Sequence, residues 1–310
     1  MLSCLDSDRP ARGGWCHGGA RRGEEFLLRF DVLLVAALVL SLSVVPGRAA
    51  DPVPPASSFD VEPPGGVSVP LATLPALSPP EVTAEVARLR AAFAQEVPQH
   101  LSPSAQSDAA WIAKAKAAIA ASPYRIDRAQ MIVMVDRDRA QELRIVAAQP
   151  GDLPWYVIGA SKVSTGQEGR QGYYITPAGV FRHTTDILDY RAEGTFNENH
   201  IRGLGLKGSR VWDFGWQTAR AGWTATGGGN EIRLLIHATD PANLEKRIGR
   251  AASKGCVRVP ATVNRFLDMH GVLDADYEAA ATYDQRYAAL LLPGRQPSKL
   301  AGDLLVVIDS

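Results

Sequence analysis

Two residues of types that do covalent chemistry stand a short loop apart in this chain. His237 closes the apolar run Arg233-Leu-Leu-Ile-His237, and Cys256 follows in Ser253-Lys-Gly-Cys-Val-Arg258. A thiol with an imidazole in reach is a nucleophile–base pair. Lys254 and Arg258 favour a thiolate, and Gly255 lets a substrate approach the backbone closely. Residues 239–252 have the length to form a short helix that returns the chain, so the two side chains can meet. Read from these residues alone, a plainer alternative stands beside the pair: a buried structural thiol and an unrelated histidine.

The N-terminus sharpens the question. Of three cysteines, Cys4 and Cys16 precede the apolar run Val32–Val45, and Cys256 is the third. That run is shorter than the roughly 20 residues of a membrane span and fits the apolar centre of an export signal, with Arg21, Arg22 and Arg29 before it and Gly47-Arg48-Ala49 after it. Cleavage near Ala49 or Ala50 would leave Cys256 alone in an oxidising compartment, where an unpaired thiol is buried and inert or chemically employed. The expected organisation is a signal peptide over 1–49, a Pro-rich linker over 50–77, a helical segment over 78–128 and a catalytic domain over 129–310.

The elements that would hold the pair are mainly β. Ser78 and Glu81 have capping-box spacing, with Pro79 at the first helical position. Val82, Val86, Leu89, Phe93 and Val97 follow at helical spacing. A second helix is expected from about Ser104 to Ala121, with Trp111, Ile112 and Ile119 packing on the following domain. From Met131 onward short strands dominate. Residues 131–135 and 142–148 read as a hairpin, with further strands at 155–164, within 172–183, at 233–238 and at 304–310. One short helix is expected at 261–271. The fold class is thus mainly β with short helices, preceded by two α-helices.

Four stretches then combine: Ser164-Thr165-Gly166; Thr176-Pro-Ala-Gly179-Val-Phe181; Ile236-His237; and Ser253-Lys-Gly-Cys256-Val-Arg258. In this order they resemble the L,D-transpeptidase catalytic domain of bacterial cell-wall enzymes, the YkuD family, over about residues 129–310. The resemblance implies a β-sandwich catalytic domain that acts on peptidoglycan stem peptides without a metal or other cofactor. It implies Cys256 as nucleophile and His237 as base, then acid toward the leaving amine. The Gly255 and Cys256 backbone N–H groups would form an oxyanion hole, Ser253 would support the loop or the base, and Arg258 and Thr176 would lie at the substrate. The acyl acceptor would be a stem amine, a free D-amino acid or an envelope protein, and the location the periplasm or cell envelope. Two departures stand out: Ala238 where the family usually has Gly, and Lys254 where it often has His. Residues 182–230 follow no common pattern and are expected to shape or cover the cleft. A thiol hydrolase of wall-linked peptides and a catalytically silent wall-binding module are the alternatives.

Other signals point away from other classes. Lys plus Arg and Asp plus Glu balance at 33 each, which gives no basic surplus for nucleic acid. Gly203-Leu-Gly205-Leu-Lys-Gly208 matches a dinucleotide fingerprint but follows no buried strand. The chain has no Ser-x-x-Lys, the serine transpeptidase nucleophile motif. His183, His200, His237 and Cys256 match no closed zinc spacing, and His183 and His200 read as surface or loop histidines. Trp155, Trp212, Trp216 and Trp223 read as packing residues before sugar-stacking ones.

Overall fold

The computed structural model describes residues 74, 76–224 and 228–310. The expected export signal, most of the expected Pro-rich linker and residues 225–227 lie outside the described residues. Among the described residues no helix is long and apolar enough to cross a membrane.

The architecture is sheet-rich with short helices. Two helices come first, α1 (Pro79–Glu96) and α2 (Ala105–Ala120). The expected cap of α1 is present: the Ser78 N–H donates to Glu81 Oε2 at 2.8 Å and the Ser78 hydroxyl donates to the same oxygen at 2.6 Å. Ser104 caps α2 by accepting from the Ser107 N–H.

Among the described residues nine strands make two sheets. The first is five-stranded, in the order β3-β2-β1-β9-β4. Its members are β1 (Gln130–Asp136), β2 (Glu142–Ala148), β3 (Tyr156–Lys162), β4 (Gly179–Arg182) and β9 (Leu304–Ile308). β9 lies between β1 and β4, parallel to the first and antiparallel to the second. The second is four-stranded, in the order β5-β6-β7-β8, with β5 (Tyr190–Arg191), β6 (Arg210–Arg220), β7 (Gly229–Ala238) and β8 (Val257–Val259).

Alternation along each strand decides which face meets which layer. In the first sheet Met131, Val133 and Val135 share one apolar cluster with α1, with α3 (Ala261–Met269) and with Trp212, Phe214, Leu234, Ile236, Val257 and Val259 of the second sheet. Ile132 and Met134 face the other way, onto Trp111, Ala115 and Ile119 of α2. β1 is therefore buried along its whole length, as its near-continuous apolar sequence requires.

β6 was not expected from the sequence. It pairs with β7 through eight residues of that strand, yet the register slips between Asp213 and Trp216. Gly215 sits there at φ 76°, a left-handed conformation that glycine adopts freely. The slip is a β-bulge, which breaks the period-two pattern that would have revealed the strand. Two further short helices, α4 (Ala275–Ala280) and α5 (Gln285–Leu290), also escaped the sequence reading.

Candidate active site

His237 and Cys256 are brought together by the parallel pairing of β7 and β8. His237 stands opposite Arg258 in that register, and Ile236 opposite Val257. Cys256, just before β8, is therefore level with Leu235 and diagonal to His237. Strand alternation sends Ile236 and Val257 into the core and leaves Leu235, His237, Cys256 and Arg258 on the opposite face. Cys256 shares an apolar cluster there with Val211 and Leu235, against which Tyr190 and Leu204 pack.

Both side chains are buried: Cys256 is 1% exposed and His237 2%. The His237 ring meets the Ala238 carbonyl at 2.6 Å through Nδ1. A carbonyl only accepts, so Nδ1 carries the proton and Nε2 is the lone-pair nitrogen. Burial, and then the Arg258 charge, push the His237 pKa down to about 3, against a smaller upward pull from the Ala238 carbonyl. The ring is a neutral imidazole at physiological pH. The Cys256 thiol lies 3.7 Å from the Arg233 carbonyl, which accepts from it.

The loop that presents Cys256 is tied on every side. Ser253 Oγ donates to the Cys256 carbonyl at 2.6 Å and accepts from the Gly255 N–H at 3.0 Å. The Gly255 N–H, expected in an oxyanion hole, is thus engaged by the loop's own serine. Gly255 has φ 131°, and a Cβ there would stand 2.6 Å from Ile232 Cδ1, so only glycine fits the turn. The Ser164–Gly166 stretch runs alongside: Ser164 exchanges two 2.9 Å backbone bonds with Arg258, and the Ser253 N–H donates to Thr165 at 2.8 Å.

Thr176 was expected at the substrate, and its surroundings are those of a strut. Thr176 is 0% exposed. Its hydroxyl donates to the Gly255 carbonyl at 2.8 Å and accepts from the Gly166 N–H at 2.9 Å. Arg258 is buried, with Nη1 3.4 Å from the Ala252 carbonyl.

The unpatterned stretch 182–230 resolves into β4's last residue, β5, β6 and a segment over 192–209 that lies against the site. Leu204 of that segment packs on the cluster that holds Cys256. Gly205 abuts the Ala238 departure: at φ 92°, a Cβ on it would lie 2.6 Å from the Ala238 Cβ. The extra methyl beside His237 is accommodated by a missing one opposite. A cavity of about 420 Å³ opens within this segment, its wall shared with the thiol's cluster through Tyr190 and Leu204.

His183 is no surface residue. It is 1% exposed, with Nδ1 on the Leu273 carbonyl at 2.7 Å and Nε2 3.0 Å from both Asp189 carboxylate oxygens. Every partner accepts, so both nitrogens donate and the ring is an imidazolium. Burial pulls its pKa down, but the Asp189 charge and hydrogen bond outweigh it and the net shift is upward. Asp189 and Asp274 complete a group with His183 whose ligand atoms lie within 4.8 Å of one another. Arg210 already donates to both carboxylates, at 2.7 and 3.4 Å, and fills the place of a cation there. His200 is exposed in the loop, at φ 55°. Trp212 is buried and donates to Asp274, while Trp216 is 50% exposed.

Sequence reasoning missed Arg233 and Asp213. The two form a salt bridge on the same sheet face as His237, and the Arg233 guanidinium lies 6.0 Å from the Trp216 ring centre. The signal was present in the alternation of β7, where residues 233, 235 and 237 share a face.

Residues 130–274 match the family model described as the L,D-transpeptidase catalytic domain, YkuD. The match ends before β9, which nonetheless lies inside the first sheet, between β1 and β4. No curated protein matches the chain.

Proposed function

With residues 130–274 belonging to the L,D-transpeptidase catalytic-domain family, whose substrate is peptidoglycan, we propose that this protein is an exported enzyme that uses Cys256 to form an acyl-enzyme from a stem tetrapeptide. The observation that carries the reading is a neutral imidazole, fixed by the Ala238 carbonyl with Nε2 left basic, on the strand beside the buried thiol. The two sheets are read as the sandwich that the family implies, supported by the apolar cluster they share.

The steps follow from the residues. His237 Nε2 takes the proton from the Cys256 thiol as sulfur attacks the carbonyl carbon at the L-centre of the third stem residue. The carbonyl oxygen becomes an oxyanion, for which the Cys256 N–H is the nearest backbone donor of the loop. The C–N bond then breaks. The departing D-alanine amine receives the proton from His237, and a thioester remains. An acceptor amine attacks that thioester, passes a proton to His237, and the thiolate leaves and is reprotonated. Burial of both groups supports transfer over hydrolysis, because water is kept from a thioester that amines attack readily. Leu204 and its segment must shift for a stem to reach the sulfur, and the Pro-rich stretch would give the domain reach from the membrane toward the wall.

Mass spectrometry of the protein mixed with a stem tetrapeptide tests this directly. We expect an acyl adduct on Cys256 with release of D-alanine, and its absence from Cys256→Ser. A wild type that reacts with a simple thiol reagent yet forms no adduct with the stem would overturn the reading. An adduct that resolves only to free tripeptide, with an amine acceptor present, would make the protein a hydrolase.

A further inference from the structure

The outer face of β7 carries a row of three side chains, Arg233, Leu235 and His237, with Cys256 level with the middle one. His237 and Arg233 therefore flank the thiol on opposite sides along the strand. We propose that Arg233 recognises a carboxylate on the part of the donor stem that stays on the enzyme, a specificity-determining contact that rests on the transpeptidase reading above.

The direction follows from the chemistry. The leaving amine must take its proton from His237, so the leaving group faces the Ala238 end of β7. The acyl part then extends from the sulfur the other way, along β7 toward Arg233, whose carbonyl the thiol already touches. One residue of extended chain covers about 3.5 Å, so an arginine two strand positions from the sulfur meets the first or second residue of the acyl part. Stem peptides carry carboxylates that are not in their main-chain links, and a guanidinium matches a carboxylate in a planar, two-bond fork.

The side chain is built to be held in place. Asp213 is fully buried, accepts from the Gly215 N–H at 2.8 Å and pairs with one arm of Arg233. Its negative charge offsets part of the arginine's, so selectivity rests on the orientation of the fork rather than on a broad positive field. The bulge at Gly215 re-aims the next residue, Trp216, so that its ring lies beside the guanidinium. At 40% side-chain exposure Arg233 is open to solvent, whereas Arg258 on the other side is enclosed. Glu231, one step further out, is tied to the Thr218 hydroxyl at 2.6 Å.

Acylation rates with three donors test the assignment: the free stem, a stem amidated at its retained carboxylates, and a stem ending in D-alanine carboxamide. Arg233→Gln should slow acylation by the free stem on the order of tenfold to a hundredfold, the size of one charge-assisted hydrogen bond. The same variant should leave the rate with the retained-side amide unchanged and should slow the carboxamide-ended donor as much as the free stem. Arg233→Lys should recover only part of the loss, because it keeps the charge without the fork. A simple thiol reagent reacting equally with wild type and variant shows that the site is intact. Equal slowing of all three donors, no slowing at all, or a dependence that follows the terminal carboxylate would overturn the proposal while leaving the transpeptidase reading standing. Absence of acylation by every donor in the wild type would overturn both.

Discussion

His183 and His237 are buried to the same depth and carry opposite charge states. His183 is cationic because Asp189 lies 3.0 Å from Nε2 and a carbonyl faces Nδ1. His237 is neutral because its nearest charge is Arg258 and a single carbonyl faces it. Burial pushes both pKa values down; the sign of the neighbouring charge decides the outcome. The first histidine is a fixed point in a network of ion pairs, and the second keeps a nitrogen with a lone pair to spend on chemistry. Depth of burial says nothing about which of two histidines works; the inventory of donors and acceptors around it does.

Substitution should separate the two. His237→Gln removes the base while keeping the approximate shape, and acylation of Cys256 by a stem peptide should fall on the order of a hundredfold to ten-thousandfold. Its urea midpoint should move little, since it removes no ion pair. A His237→Gln protein that acylates at the wild-type rate would end the contrast.

Asp189→Ala attacks the other histidine. It leaves Arg210 and the His183 imidazolium buried without their shared carboxylate, and stability should drop by about 3–5 kcal/mol in urea denaturation. Thiol reactivity should be unchanged in the fraction that remains folded. A small loss would mean that Asp274 and water replace the missing charge.

The gentlest test is stability against pH. The folded pKa of His183 lies above its unfolded value, so its contribution is fully present below about 6.5 and fades as pH rises through the raised folded value. The folded pKa of His237 is depressed to about 3. Between that value and about 6.5 the unfolded chain binds a proton that the folded chain refuses, so this histidine's contribution fades as pH falls. His183→Gln should therefore flatten the alkaline side of the stability profile, and His237→Gln the acid side. Equal effects on both sides in either variant would show that the two charge states are misassigned.

Much of this arrangement was legible in the chain. The cap at Ser78, the apolar stripe of α1, the hairpin after Met131 and the strand ending at His237 all obey local rules, and the structure contains them. β6 was hidden because Gly215 and its bulge interrupt the alternation that identifies a strand. The His183 network was hidden because its members come from the loop between β4 and β5, from β6 and from the turn before α4, and nothing in their spacing brings them together. Thr176 sits in a motif, but motif membership does not distinguish a side chain that meets substrate from one that braces a loop. Arg233 was readable from the two-residue period of the expected strand 233–238, which puts it on the face of His237.

The position of β9 has a consequence for how fast, and when, the protein can acquire its shape. Leu304–Ile308 lies between β1 and β4, so two neighbouring strands of the first sheet have no shared partner until the last of these residues has left the ribosome. Ile132 pairs with Leu304 across most of the domain's sequence, a contact that is slow to form because a long loop must close first. The first sheet is thereby completed only after residue 308 has been made. Such a delay keeps the preceding chain threadable, which the export proposed above would require.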